Sequence, residues 1–128
     1  MGFFDKITDT LSGSVDGDIW STITAASDFK PIQDKSEERP QLIYKHSNRC
    51  SICFVAKGNL EQASEQILEK ADMHYLDVVK NRSASDSIAS KLNIRHESPQ
   101  VILLDEEEVV WHASHGEIEG EKILEQLS

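Results

Sequence analysis

The only two cysteines of the chain, Cys50 and Cys53, lie three positions apart in the run KHSNRCSIC, with Lys45, His46 and Arg49 on their N-terminal side. The chemistry open to such a pair is thiol–disulfide exchange. One thiolate attacks an S–S bond, and a second thiol about one helical turn away attacks the first sulfur in its turn. Exchange needs one sulfur whose charged form is stabilised. A helix start offers this, because its first N–H groups are unpaired and the macrodipole is positive there. Placed at such a start, Cys50 is the attacking thiolate. Cys53 falls on the same face but deeper, as the resolving thiol. Lys45, His46 and Arg49 are expected to add cationic character in the same direction.

Two other chemistries use the same residues. A zinc ion could be held by Cys50 and Cys53 with two of His46, His112 and His115, although the histidines form no second clustered pair at finger spacing. Buried thiols can also serve only as small apolar side chains. A metal-binding or non-enzymatic interaction module is therefore the alternative to an oxidoreductase.

The elements around the thiols are those the exchange reading requires. QLIYK, Gln41 to Lys45, is a compact β-prone run of the kind covered on both faces. After Cys50, apolar residues Ile52, Val55, Ala56, Leu60, Ala63 and Ile67 recur at three- and four-residue steps, the stripe of a helix lying on a core. Gly58, with Asn59 and Gln62 behind it, predicts a break in that helix. Before this unit, Trp20 and Ile23 mark a short edge strand, and Ser27 is placed to cap a helical stretch through Phe29 and Ile32 with Pro31 in its first turn. Beyond it, MHYLDVV (73–79) reads as a strand, and Ser83 to Leu92 as a helix capped by Ser83 or Ser85. QVILL and VVWHA form a hairpin across the acidic DEEE run, and Ile118 to Leu127 a last helix. The order predicts an α/β fold with a helical crossover between the two central strands and an antiparallel final pair.

At 128 residues and 38% hydrophobic, the chain suits one core, assigned to residues 19–128. Residues 1–18 read as a weakly ordered N-terminal segment, with Phe3, Phe4, Ile7 and Leu11 spaced for a short amphipathic helix. A formal charge of −10 argues against nucleic acid or an anionic membrane as partner. There is neither a membrane span nor a signal-peptide pattern, and Lys6 breaks the myristoylation motif, so the expectation is a cytoplasmic protein. In that compartment an isolated cysteine pair is more suited to transient chemistry than to stapling.

KHSNRCSIC, YLDV, HESPQVILL and HASHGEI, in that order, resemble the bacilliredoxin-like YtxJ family, redox-active proteins of the bacillithiol system, from about Trp20 to the C-terminus. The resemblance implies a thioredoxin-like fold with a central mixed sheet of four to five strands flanked by helices. It implies Cys50 as the reactive thiol facing a cis Ser98–Pro99 bond, and removal of bacillithiol from mixed disulfides on other proteins. Bacillithiol would then be a co-substrate, no cofactor is expected, and the protein would act as a monomer. Ser98 would offer its backbone to an extended partner, a form of strand addition. Arg49 suits the carboxylates of a small thiol. His46, Arg49, Ser98 and Pro99 are accordingly the substrate-binding candidates, while His96, His112 and His115 flank the same end. Many members carry Ser where this chain has Cys53, so a dithiol cycle is open here. The WCGPC loop of thioredoxin is absent.

Overall fold

The strands alternate their side chains between two apolar layers, and this alternation organises the molecule. In the computed structural model, which describes residues 19–128, five strands form one mixed sheet in the order β1-β3-β2-β4-β5. They are β1 (Ser21–Thr22), β2 (Gln41–His46), β3 (Asp72–Asp77), β4 (Gln100–Asp105) and β5 (Glu108–Ser114). β1 and β2 flank β3 in parallel, whereas β4 runs antiparallel to both β2 and β5. Five α-helices cover the faces: α1 (Phe29–Lys35), α2 (Ser51–Gln62), α3 (Ser64–Leu68), α4 (Arg82–Leu92) and α5 (Gly120–Leu127).

β2 is buried at every position, as a central strand between two helical layers must be. Leu42 and Tyr44 point to one side, with Met73, Tyr75, Val101 and Leu103, against Ala56 and Leu60 of α2, Ile67 of α3 and Ile123 of α5. Ile43 points to the other, with Leu76, Ile102 and Leu104, against Phe29 and Ile32 of α1 and Ala84 and Ile88 of α4. Trp20 is buried in the first layer and Trp111 packs at its margin.

Several local expectations are corrected. The helix after Cys50 runs unbroken through Gly58, where an added Cβ would meet nothing within 4 Å. The break falls at Ala63 instead, where α5 comes closest: a Cβ on Gly120 would lie 2.6 Å from the Ala63 Cβ. Asp28, not Ser27, ties down the start of α1, its carboxylate accepting from the Thr24 and Ala25 amides at 2.9 and 3.1 Å. These amides hold the Asp28 carboxyl below its ordinary range. β3 stops at Asp77, whose Oδ1 accepts from the Val79 and Lys80 amides and turns the chain. No side chain caps α4, so neither Ser83 nor Ser85 does so. The last helix starts at Gly120, and Ile118 enters the core from the extended residues before it.

The β4–β5 turn is tight. Glu106 and Glu107 both have positive φ, 52° and 70°, and are held because their amides donate to Ser36 O and Ser36 Oγ at 2.9 and 2.8 Å. The expected N-terminal segment and its short helix lie outside the described residues. Among the described residues no helix is long and apolar enough to cross a membrane.

Candidate active site

At its C-terminal end β2 hands the chain to a short loop, and α2 begins at Ser51. Cys50 is the N-cap of α2, extended at φ −123°, ψ 119°, with its amide donating to Ser47 O at 3.3 Å. Its sulfur is half-buried and Cys53 is fully buried; both thiols are free. The two environments push in opposite directions. The Cys53 backbone amide, aided by the Cys53 thiol and the Ile52 amide, holds the Cys50 thiol below its ordinary pKa against a smaller cost of burial. Burial pushes the Cys53 thiol up, only partly offset by the Ser98 hydroxyl 3.5 Å from its sulfur and by the Ser47 backbone.

The expected cationic knot does not form around Cys50. Lys45 and His46 lie on opposite faces of β2 and both are buried. The Lys45 amine reaches away from the thiols to Ser85 O and His96 Nδ1, 3.3 Å from each, and burial lowers its pKa to about 8. His46 lies beneath the loop, its Nδ1 2.8 Å from the Tyr44 hydroxyl and its Nε2 2.8 Å from Asn48 Oδ1. Burial moves its pKa down, towards the neutral ring. Placed so, His46 shapes the loop and offers no surface to a ligand. Arg49 alone of the three is exposed, with its amide on Ser47 Oγ at 3.2 Å. The lowering of the Cys50 pKa thus rests chiefly on the Cys53 backbone amide, not on cationic side chains.

Ser98 and Pro99 complete the other wall. Their peptide bond is cis, Ser98 is partly exposed beside the Cys53 sulfur, and Pro99 is buried with its carbonyl accepting from the His115 amide at 3.0 Å. The flanking histidines stay apart from the thiols. His96 Nδ1 lies 3.2 Å from Ser85 Oγ, His115 is 3.9 Å from Glu97, and exposed His112 sits opposite Ile102 on β5. Among the described residues no three His, Cys, Asp or Glu groups gather in a cluster able to hold a metal, so the zinc alternative has no assembled ligand set.

Sequence reasoning missed Tyr44. Its buried hydroxyl sits 2.8 Å from the Cys53 carbonyl as well as from His46, joining β2 to the first turn of α2. The signal was its place one strand alternation before His46, on the face that α2 covers.

This arrangement gives one partly exposed sulfur with a lowered pKa, a second sulfur that is buried, and a cis Ser98–Pro99 bond beside the buried one. Comparison with known proteins agrees. The family model described as monothiol bacilliredoxin BrxC matches residues 21–123. A solved structure titled "A putative oxidoreductase with a thioredoxin fold" is 30% identical, with a TM-score of 0.73 over 86% of this chain and 94% of that one. Thioredoxin O2 from Arabidopsis thaliana in its oxidized state shares the fold at 14% identity and TM-score 0.69, over 84% of this chain and 93% of that one. Fasciola hepatica thioredoxin does so at 18% and 0.64, over 83% and 94%. The chain is a thiol redox protein of thioredoxin fold and belongs to the monothiol bacilliredoxin BrxC family.

Proposed function

We propose that this protein is a cytoplasmic, monomeric thiol–disulfide oxidoreductase that removes bacillithiol from protein cysteines, with Cys50 as nucleophile and Cys53 as resolving thiol. The supporting observation is the asymmetry of the pair: Cys50 is partly exposed with its pKa lowered, and Cys53 is buried with its pKa raised. The Cys50 thiolate attacks the bacillithiol sulfur of the mixed disulfide. The old S–S bond breaks, and the substrate protein leaves as a thiolate that takes up a proton. Cys53 then gives up its proton and attacks the Cys50 sulfur, closing a Cys50–Cys53 disulfide and expelling bacillithiol, which is protonated in solution. Two electrons from an external thiol reductant restore the dithiol. No cofactor enters the cycle.

Ser98, the residue before Pro99, is the backbone position offered to the extended substrate. Arg49 is the cation next to the reacting sulfur. The family's description is of a monothiol, and Cys53 is what would allow this chain to finish the cycle internally.

The test is to mix the reduced protein with a bacillithiolated substrate and record intact masses of both. The expected result is loss of the adduct from the substrate, matched by an adduct on Cys50 or by the loss of two hydrogens from the Cys50–Cys53 pair. A substrate that keeps its adduct beside a fully reduced protein rejects the proposal.

A further inference from the structure

Beside the thiol loop, the turn after β3 closes a cleft of about 190 Å³ lined by Asn48, Arg49, Asp77, Val79 and Lys80. Pockets for whole drug-sized ligands begin at about 300 Å³. This one accommodates an end group. Its lining includes Arg49, the residue immediately before Cys50. In a chain of net charge −10, it sets two cations against a single carboxylate.

That carboxylate is committed to the fold. Asp77 is 8% exposed, and its Oδ1 accepts from the Val79 and Lys80 amides at 2.9 and 3.0 Å. The turn it makes fixes the point from which the Lys80 side chain departs. Arg49 is fixed likewise, by its amide on Ser47 Oγ. Both side chains are exposed, and among the described residues neither lies within ion-pair distance of a carboxylate. Asn48 is anchored through Oδ1 to His46, which leaves its amide nitrogen as a donor. Val79, 42% exposed, adds an apolar wall.

We propose that this cleft is the specificity subsite for the carboxylate-bearing end of the small thiol, with Lys80 joining Arg49 as its second cation. The proposal rests on the exchange reading above, in which the small thiol is disulfide-bonded to Cys50 for part of each cycle. Attack on its sulfur leaves its remaining atoms beside Arg49, where the cleft opens. Arg49 and Lys80 then neutralise carboxylates from the loop side and the β3 side, and Val79 covers the hydrocarbon between them. A small thiol without carboxylates reacts at the same sulfur but gains nothing from the cleft.

The experiment uses one carrier protein loaded with either of two mixed disulfides, mercaptosuccinate (a dicarboxylate) or 2-mercaptoethanol (uncharged). Rates of transfer to wild type, Lys80→Ala and Lys80→Arg are read by intact mass at low salt. Wild type is expected to prefer the mercaptosuccinyl adduct, and Lys80→Ala to lower that preference about fivefold, the effect expected of one partly exposed charge pair. Lys80→Arg should retain it, and added NaCl should erode it. Equal preference in wild type and Lys80→Ala overturns the subsite and leaves thiol exchange standing. Wild type accepting neither adduct overturns exchange itself, and the subsite with it.

Discussion

The two central strands end very differently. At their N-terminal end, polar groups pair with one another: His74 Nε2 donates to Gln41 Oε1 at 2.7 Å, and Gln41 Nε2 donates to Asp72 Oδ2 at 2.8 Å. Lys35 and Arg39 each approach the same carboxylate to 3.5 Å. Burial would raise the Asp72 pKa, but Gln41 and the two cations outweigh it and hold the carboxyl low. At the C-terminal end the same strands lead to a partly exposed Cys50 and to a helix that carries exposed apolar side chains, Ile52 at 40% and Val55 at 61%. One end is a network of paired polar groups, in which the Arg39 Nε approaches its carboxylate without a hydrogen bond. At the other, amide donors converge on a sulfur that can leave its proton and take a partner. The polar pairs at one end bridge β2 to β3, whereas the other end leaves a sulfur free of any disulfide bond.

The sharpest break in this contrast is Cys50→Ser. A hydroxyl is not ionised near neutrality, so disulfide exchange should fall at least about a thousandfold while the thermal midpoint barely moves. Exchange above background in this variant would put the nucleophile elsewhere. At the opposite end the expected loss is of stability. Burial lowers the His74 pKa from 6.5 to about 4, so the folded state disfavours its proton. The stability this contributes is complete above about pH 6.5 and is lost as pH falls towards 4, up to about 3 kcal/mol. Asp72, with its pKa depressed, adds a loss in the same direction at still lower pH. Urea unfolding of wild type and His74→Gln across this range should give a shallower slope for the variant. Parallel slopes would remove His74 from the account.

Lys45 sits between the two regimes, a buried amine on β2 without a carboxylate in hydrogen-bond contact. Its pKa falls from 10.5 to about 8, so its share of stability is complete above about pH 10.5 and is lost as pH falls through 8. Near neutrality the buried charge costs the fold. Lys45→Met, similar in length and uncharged, should raise stability by about 1 to 3 kcal/mol at pH 7, with the gain shrinking towards pH 10. A variant less stable than wild type at pH 7 would mean that the bonds to Ser85 and His96 outweigh the desolvation they accompany.

Much of this was legible in the residues, because period and punctuation carry it. The β-prone QLIYK run, the apolar stripe behind Cys50 and the β4–β5 hairpin follow from side-chain spacing that only one element type can bury. What spacing could not reveal was which neighbour each side chain meets. Gly58 looked like a helix end, but it faces open space; the break falls at Ala63, against which Gly120 packs. Lys45 and His46 looked like cations for Cys50, but strand alternation sends them to opposite layers, and burial works against their charge. Tyr44 reads only as part of the QLIYK strand; its ring is core, yet its hydroxyl bridges to the Cys53 carbonyl. In each case the missing information is a long-range contact.

The smallest expected effect probes the thiol pair alone. The Ser98 hydroxyl, 3.5 Å from the Cys53 sulfur, opposes the larger upward push of burial on that thiol. In Ser98→Ala the opposition is gone, so Cys53 should ionise less readily. Closure of the Cys50–Cys53 disulfide should then slow by about two- to fivefold at neutral pH. Transfer of the adduct to Cys50 should keep its rate, because that sulfur is tuned by the Cys53 and Ile52 amides. Single-turnover mass spectrometry separates the two steps by following the Cys50 adduct as it forms and decays. Equal slowing of both steps would locate the role of Ser98 in holding the partner chain rather than in tuning Cys53. Slowing confined to adduct decay would tie the hydroxyl to the resolving sulfur, and so mark Cys53 as a working half of the pair.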